Sequence, residues 1–193
     1  MFNLNPMTKE EIRRLYREKR TQLSNEELQK RQNDLEHQYT LFDLSPYQTV
    51  HVFLSIQKHN EPNTQPLIDL LFSQEKTVVV SKTDFATKHM THWVITPKTP
   101  REVTSFGISE PMGGTQLSPE KLDLVFVPLL SYDKNGQRVG YGQGFYDRFL
   151  AACRSKTKFV GLSLFPVGPS IEDSEPTDIR LHACIGPNHI EQF

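Results

Sequence analysis

A three-layer α/β fold, built on a largely parallel sheet with a pair of helices ahead of it, is what this 193-residue sequence predicts. Three observations lead there. Runs that are apolar on both faces alternate with helix-periodic segments, the pattern of strands buried between two layers. Two capping-box signals follow each other near the start, Thr8 with Glu11 and Ser24 with Glu27. A glycine-rich connection, Arg138-Val139-Gly140-Tyr141-Gly142-Gln143-Gly144-Phe145-Tyr146-Asp147-Arg148, separates an apolar strand from an amphipathic helix.

In chain order, Ile12, Leu15, Tyr16 and Leu23 keep to a helical stripe behind the first cap, and Leu28, Leu35 and Tyr39 do so behind the second. From Thr49 to Ile56 the period becomes that of a strand, with Val50, Val52, Leu54 and Ile56 on one face. Pro66 opens a short helix through Leu67, Ile68, Leu70 and Leu71, and Thr77 to Val80 is the next strand, completing a strand-helix-strand unit. Further strands are expected at His89 to Thr96, Leu122 to Pro128, Lys158 to Leu164 and Arg180 to Ile185, with a helix from Phe145 to Cys153. Its apolar face carries Phe145, Phe149, Leu150 and Cys153. Thr96 to Pro119 and Phe165 to Pro176, rich in proline, glycine or carboxylates, read as loops. No internal repeat interrupts this order, and one domain over 1–193 is expected.

Composition narrows the function classes. Lysine and arginine (22) nearly balance aspartate and glutamate (23), so no global field draws nucleic acid or an anionic membrane, and an anionic ligand must be held locally. Cys153 and Cys184 fit no metal-ligand spacing and suit a reducing compartment. Met1 to Pro6 has no leader pattern and no apolar run reaches membrane-spanning length, so a soluble, cytoplasmic protein without membrane partners is expected.

The glycine stretch reads as a phosphate site, because glycines let backbone N–H groups approach an anion and flanking arginines add charge. Gly140-x-Gly142-x-Gly144 is not the dinucleotide fingerprint, and no GxxxxGK motif occurs. The plainer alternative is a connection whose arginines pair with Asp133 or Asp147 on the surface. Asp147 would repel a phosphate unless a divalent cation bridges the two, which points to Mg²⁺. Lys9 and Arg13, one turn apart, could be a solvated helix face. Glu61 before Pro62 could decorate a turn. His89 and His92 flank two residues, but on a strand they face opposite ways, so no zinc site is expected. Trp93 fits a core or pocket edge, with stacking on a ligand ring as the alternative.

The run from Asp133 to Arg148, with Phe106-Gly107-Ile108-Ser109-Glu110-Pro111 and Lys9-Glu10-Glu11-Ile12-Arg13, resembles the 5-formyltetrahydrofolate cyclo-ligase family across nearly the whole chain. The family's Arg-Leu-Gly-x-Gly-x-Gly-Tyr-Tyr-Asp pattern is met with Val139 for leucine and Phe145 for tyrosine. The resemblance implies a Rossmann-like single domain that uses ATP and Mg²⁺ to convert 5-formyltetrahydrofolate to 5,10-methenyltetrahydrofolate, as a monomer. It implies ATP binding by Lys9, Glu10, Glu11, Ile12 and Arg13, and by Arg138, Val139, Gly140, Tyr141, Gly142, Gln143, Gly144, Phe145 and Tyr146. Arg138 and Tyr146 would be catalytic. Folate contacts would come from Ile56, Glu61 and Tyr141, Gly142, Gln143, Gly144 and Phe145. Mg²⁺ would lie on Asp147 and on Asp178 of the Pro176-Thr177-Asp178-Ile179 stretch, with His182 standing where the family is often acidic.

Overall fold

The computed structural model describes residues 5–105 and 107–193, so the expectations that touch Met1 to Leu4 and Phe106 lie outside the described residues. Both capping boxes form. Thr8 Oγ1 accepts from Glu11 N at 3.2 Å while Glu11 accepts from Thr8 N at 2.9 Å, and α1 follows (Lys9–Thr21). Ser24 and Glu27 repeat the exchange at the start of α2 (Asn25–Leu41). Then come β1 (Thr49–His51), a 3₁₀ turn at Gln57–His59, α3 (Gln65–Ser73), β2 (Thr77–Asp84), β3 (His89–Ile95), β4 (Arg101–Val103), β5 (Ser109–Pro111) and β6 (Thr115–Leu117). The rest is β7 (Leu124–Pro128), β8 (Ser131–Tyr132), β9 (Arg138–Val139), α4 (Phe145–Ala151), β10 (Lys158–Leu162), β11 (Ala183–Gly186) and β12 (His189–Gln192).

The main sheet runs β12-β11-β10-β7-β1-β2-β3-β6. Its five central strands, β11 through β2, are parallel; β12 on one side, and β3 followed by β6 on the other, extend it by antiparallel pairing. Alternation sorts the strand residues onto two faces. Val50, Val80, Phe126 and Leu162 pack with Ile12, Leu35, Tyr39 and Leu71, so α1, α2 and α3 cover one face. Val79, Val125, Val127 and Cys184 pack with Phe149 and Leu150 of α4 on the other. This is the expected three-layer α/β arrangement. Each such side chain taken from water stabilises the fold by about 1.5–3 kcal/mol before entropy is counted.

Several boundaries differ from expectation for local reasons. β1 stops at His51, because beyond the bond from Val52 N to Val79 O the chain leaves the sheet. Ser55 Oγ instead donates to Pro62 O at 2.6 Å and accepts from Thr64 N at 3.0 Å, closing a loop that carries Ile56 and Glu61. β2 continues past Val80 to Asp84, because β3 offers an antiparallel partner along its whole length. The expected loop from Thr96 to Pro119 contains β4, β5 and β6, and β12 follows the last expected strand. No helix among the described residues is long and apolar enough to cross a membrane.

The strand order fixes where a ligand can sit. The chain builds β2 on one side of β1 and then β7, β10 and β11 on the other. A crevice therefore opens between β1 and β7 at their carboxyl ends, the usual ligand position in open α/β sheets.

Candidate active site

A cavity of about 470 Å³ occupies that crevice. Its walls are Lys9, Arg13 and Arg17 of α1, the segment from Phe53 to Glu61 after β1, and Ser81 and Thr83 of β2. Met90, Ile108, Ser109, Pro128, Arg138, the glycine loop through Asp147, and Asp178 complete it.

The glycine loop is held from α1. Arg13 Nε donates to Gly140 O at 3.1 Å and Arg17 Nη2 to Tyr141 O at 3.3 Å, while Arg148 Nη2 donates to Gln143 O at 3.0 Å. With its carbonyls drawn to cations, the loop leaves the N–H groups of Gly142, Gln143 and Gly144 without an acceptor among the described residues. Two glycines are required by conformation: Gly142 has φ +92° and Gly144 φ +67°. A Cβ on Gly142 would also come within 3.2 Å of Arg13 Nε. Because α4 has only seven residues, side-chain cations rather than a helix dipole supply most of the positive charge here.

Two carboxylates face these cations. The Arg138 side chain is buried; its Nη1 donates to Ile179 O at 2.5 Å and its Nη2 pairs with Asp147 Oδ1 at 2.7 Å. Lys9 Nζ pairs with Asp178 Oδ2 at 2.6 Å. The Asp147 side chain is one-third exposed, and its second oxygen meets no partner among the described residues. Asp147 and Asp178 both line the cavity, and carboxylates are the ligand type Mg²⁺ takes, one or two at a time, with water or phosphate oxygens as its other ligands.

Glu61, which also lines the cavity, is almost wholly buried. Its Oε1 accepts from the Tyr141 hydroxyl at 2.5 Å and its Oε2 from Ile56 N at 2.7 Å. Burial raises the Glu61 carboxyl above its usual range, opposed by those two bonds and by nearby Arg20. Burial also raises Tyr141 and Tyr146, so both phenols stay protonated. Behind Ser81 of the lining, two buried histidines form a polar row that sequence reasoning missed. Ser81 Oγ lies 2.7 Å from His51 Nε2 and 3.0 Å from His92 Nδ1, and the His92 ring stacks on Phe149 with centroids 4.0 Å apart. Burial holds both imidazoles neutral, His92 down to about 4 and His51 well below its ordinary value.

Of the residues expected from sequence, Lys9, Arg13, Ile56, Glu61, Arg138, Asp147, Asp178 and Gly140 through Tyr146 share this cavity. Four do not line it. Glu11 is spent on the cap with Thr8, Glu10 points to solvent, and Ile12 and Val139 are core residues. Arg17 was readable as the next turn of the Lys9 and Arg13 stripe. Trp93 is a partly buried β3 residue whose indole N–H donates to Thr91 Oγ1 at 2.9 Å, outside the cavity lining. His182 donates no carboxylate and instead takes Phe159 N on its Nδ1 at 3.0 Å. Both cysteines are free thiols.

Comparison with known proteins gives the family. The family model described as the 5-formyltetrahydrofolate cyclo-ligase family matches residues 5–168. The chain is 32% identical over 169 residues to the 5-formyltetrahydrofolate cyclo-ligase of Haemophilus influenzae, covering 86% of each chain. It is 31% identical over 156 residues to that of Escherichia coli K12, covering 75% of this chain and 81% of the other. The structure of a 5,10-methenyltetrahydrofolate synthetase from Aquifex aeolicus superposes with a TM-score of 0.77 at 25% identity, over 96% of this chain and 93% of that one. The synthetase of Mycoplasma pneumoniae shares the fold at a TM-score of 0.72 and 18% identity, over 94% and 99%. Matched by that family model over most of its length and by relatives above 30% identity, the chain belongs to the 5-formyltetrahydrofolate cyclo-ligase family of ligases.

Proposed function

We propose that this protein closes 5-formyltetrahydrofolate to 5,10-methenyltetrahydrofolate while converting ATP to ADP and phosphate, acting as a single-domain cytoplasmic monomer. The observation that carries the reading is one cavity lined both by Lys9, Arg13, Arg138 and the glycine loop and by Ile56 and the buried carboxylate of Glu61. A formyl amide carbon is a poor electrophile and its oxygen a poor leaving group. Transfer of the γ-phosphoryl group to that oxygen makes the carbon iminium-like; N10 attacks it, N10 loses its proton, and the C–O bond breaks with release of phosphate.

The chain's part is positioning and charge neutralisation. Lys9, Arg13 and the free loop N–H groups would hold the phosphates, and Arg138 would meet charge developing on the transferred group. Tyr146, a protonated phenol at the loop's end, would donate a hydrogen bond there. Asp147 and Asp178 would hold Mg²⁺, which when bound would offset phosphate charge. Glu61 and Ile56 would orient the pterin, Glu61 by accepting N–H bonds. Mixing protein, 5-formyltetrahydrofolate, ATP and Mg²⁺ tests this: a near-ultraviolet methenyl band that grows only with all components is expected. Folate binding without that band overturns the reading in favour of a non-catalytic folate protein.

A further inference from the structure

Arg20, in the last turn of α1, is buried to 2% exposure, yet no carboxylate of the described residues pairs with it directly. Its Nη2 donates to Leu129 O at 2.5 Å and its Nη1 to the Tyr141 hydroxyl oxygen at 2.9 Å. That hydroxyl in turn lies 2.5 Å from Glu61 Oε1. A buried cation and a buried carboxylate are thus joined by one phenol. The direction of the chain follows from donor counting. A guanidinium has only N–H donors, so the phenol oxygen must accept from Arg20, and its single proton is left to point at Glu61. Ile56 N–H, also donor-only, takes the other Glu61 oxygen at 2.7 Å. Each Glu61 oxygen therefore receives one proton donor and, with a second lone pair, keeps capacity for another.

Resting on the cyclo-ligase reading above, we propose that Arg20 is a positioning residue for Glu61: acting through the Tyr141 hydroxyl, it sets Glu61 as an acceptor for the N–H groups of the folate ring. Arg20 touches no part of the cavity itself, and Asn60 Nδ2 bonds its carbonyl at 2.8 Å, tying the end of α1 to the loop that carries Glu61. The same chain opposes the upward pull of burial on the Glu61 carboxyl. The other charged or titratable groups around it are Arg17 of α1, 5.9 Å from the Tyr141 ring, Lys58 and His59 of the 3₁₀ turn, and Tyr146 of α4. Gln32 of α2 meets only the Glu61 carbonyl.

The test is a double-mutant cycle of Arg20→Met and Tyr141→Phe, read as Kd for 5-formyltetrahydrofolate without ATP and as KM and kcat across pH. Each single variant should weaken folate binding about tenfold, and in Arg20→Met, whose side chain does not line the cavity, kcat at saturation should be much less affected. The double variant should be no worse than the weaker single one. The pH below which folate binding fails should rise by about one unit in Arg20→Met and return toward the parent in Arg20→Lys. Should Arg20→Met not fold, Tyr141→Phe and Arg20→Lys supply the same pH comparison. Additive losses, or an unmoved pH midpoint with folate Kd unchanged, would overturn the assignment. Failure of the parent protein to bind the folate at all would overturn the cyclo-ligase reading and this assignment with it.

Discussion

Acidification should destabilise this fold through His92, and the size of the effect can be worked out. His92 sits between Ser81 and Phe149 with burial lowering it from 6.5 to about 4, and its neighbour His51, wholly buried with Nδ1 unpartnered, is lowered too. A folded pKa below the unfolded one means that the unfolded chain binds more protons as pH falls. The stability is therefore complete above about 6.5 and is lost progressively toward about 4. Between about pH 7.5 and about pH 5, His92 alone accounts for a loss of about 2 kcal/mol. That is a substantial share of a typical total of about 5–15 kcal/mol. Urea unfolding at both pH values, on the parent and on His92→Gln, measures it. The variant starts less stable, having lost the ring stack, but its stability should fall by about 2 kcal/mol less over the same interval. Equal losses in the two proteins, within about 0.5 kcal/mol, would refute the reasoning, because the remaining histidines and carboxylates are common to both.

Three further outcomes follow from the geometry. Asp147→Ala should abolish ATP-dependent turnover in a protein that still unfolds cooperatively; near-parent Mg²⁺-dependent activity would remove Asp147 from the metal site. Gly144→Ala forces a left-handed alanine whose Cβ would meet Arg148 Nη1 at 2.9 Å, so a stability loss of about 1–2 kcal/mol and a raised KM for ATP are expected. An unchanged ATP requirement would argue against the loop as the phosphate cradle. Leu35→Ala removes a fully buried α2 side chain and should cost about 2–5 kcal/mol in denaturant titration without shifting either KM. A loss under about 1 kcal/mol would mean that α2 repacks freely over the sheet.

The parallel centre of the sheet was legible because β7 and β10 are apolar on both faces, and only strands covered on both sides need that. Both helix starts were legible because a capping box is a local exchange of bonds. The polar stretch of β2 from Ser81 was not, since its pairing depends on β3 and no residue in it announces a distant partner. Nor was β12, an edge strand of partly exposed residues. Ile56 misled the strand reading: apolar alternation is the same whether a side chain meets core or cavity. In the site, glycines and charges made the cation-rich loop of the cavity legible, whereas Ser81, His51 and His92 come together only through register across three strands.

Arg13 reaches Gly140 across 127 residues of chain, and Lys9 closes on Asp178. The cationic side of the cavity is therefore sewn from the first helix, the glycine loop and a segment close to the last strands. A chain emerging from the ribosome cannot present it until Asp178 has been made and the sheet has closed. Partial products lack the Lys9 to Asp178 link, so this side of the cavity is completed only late in synthesis.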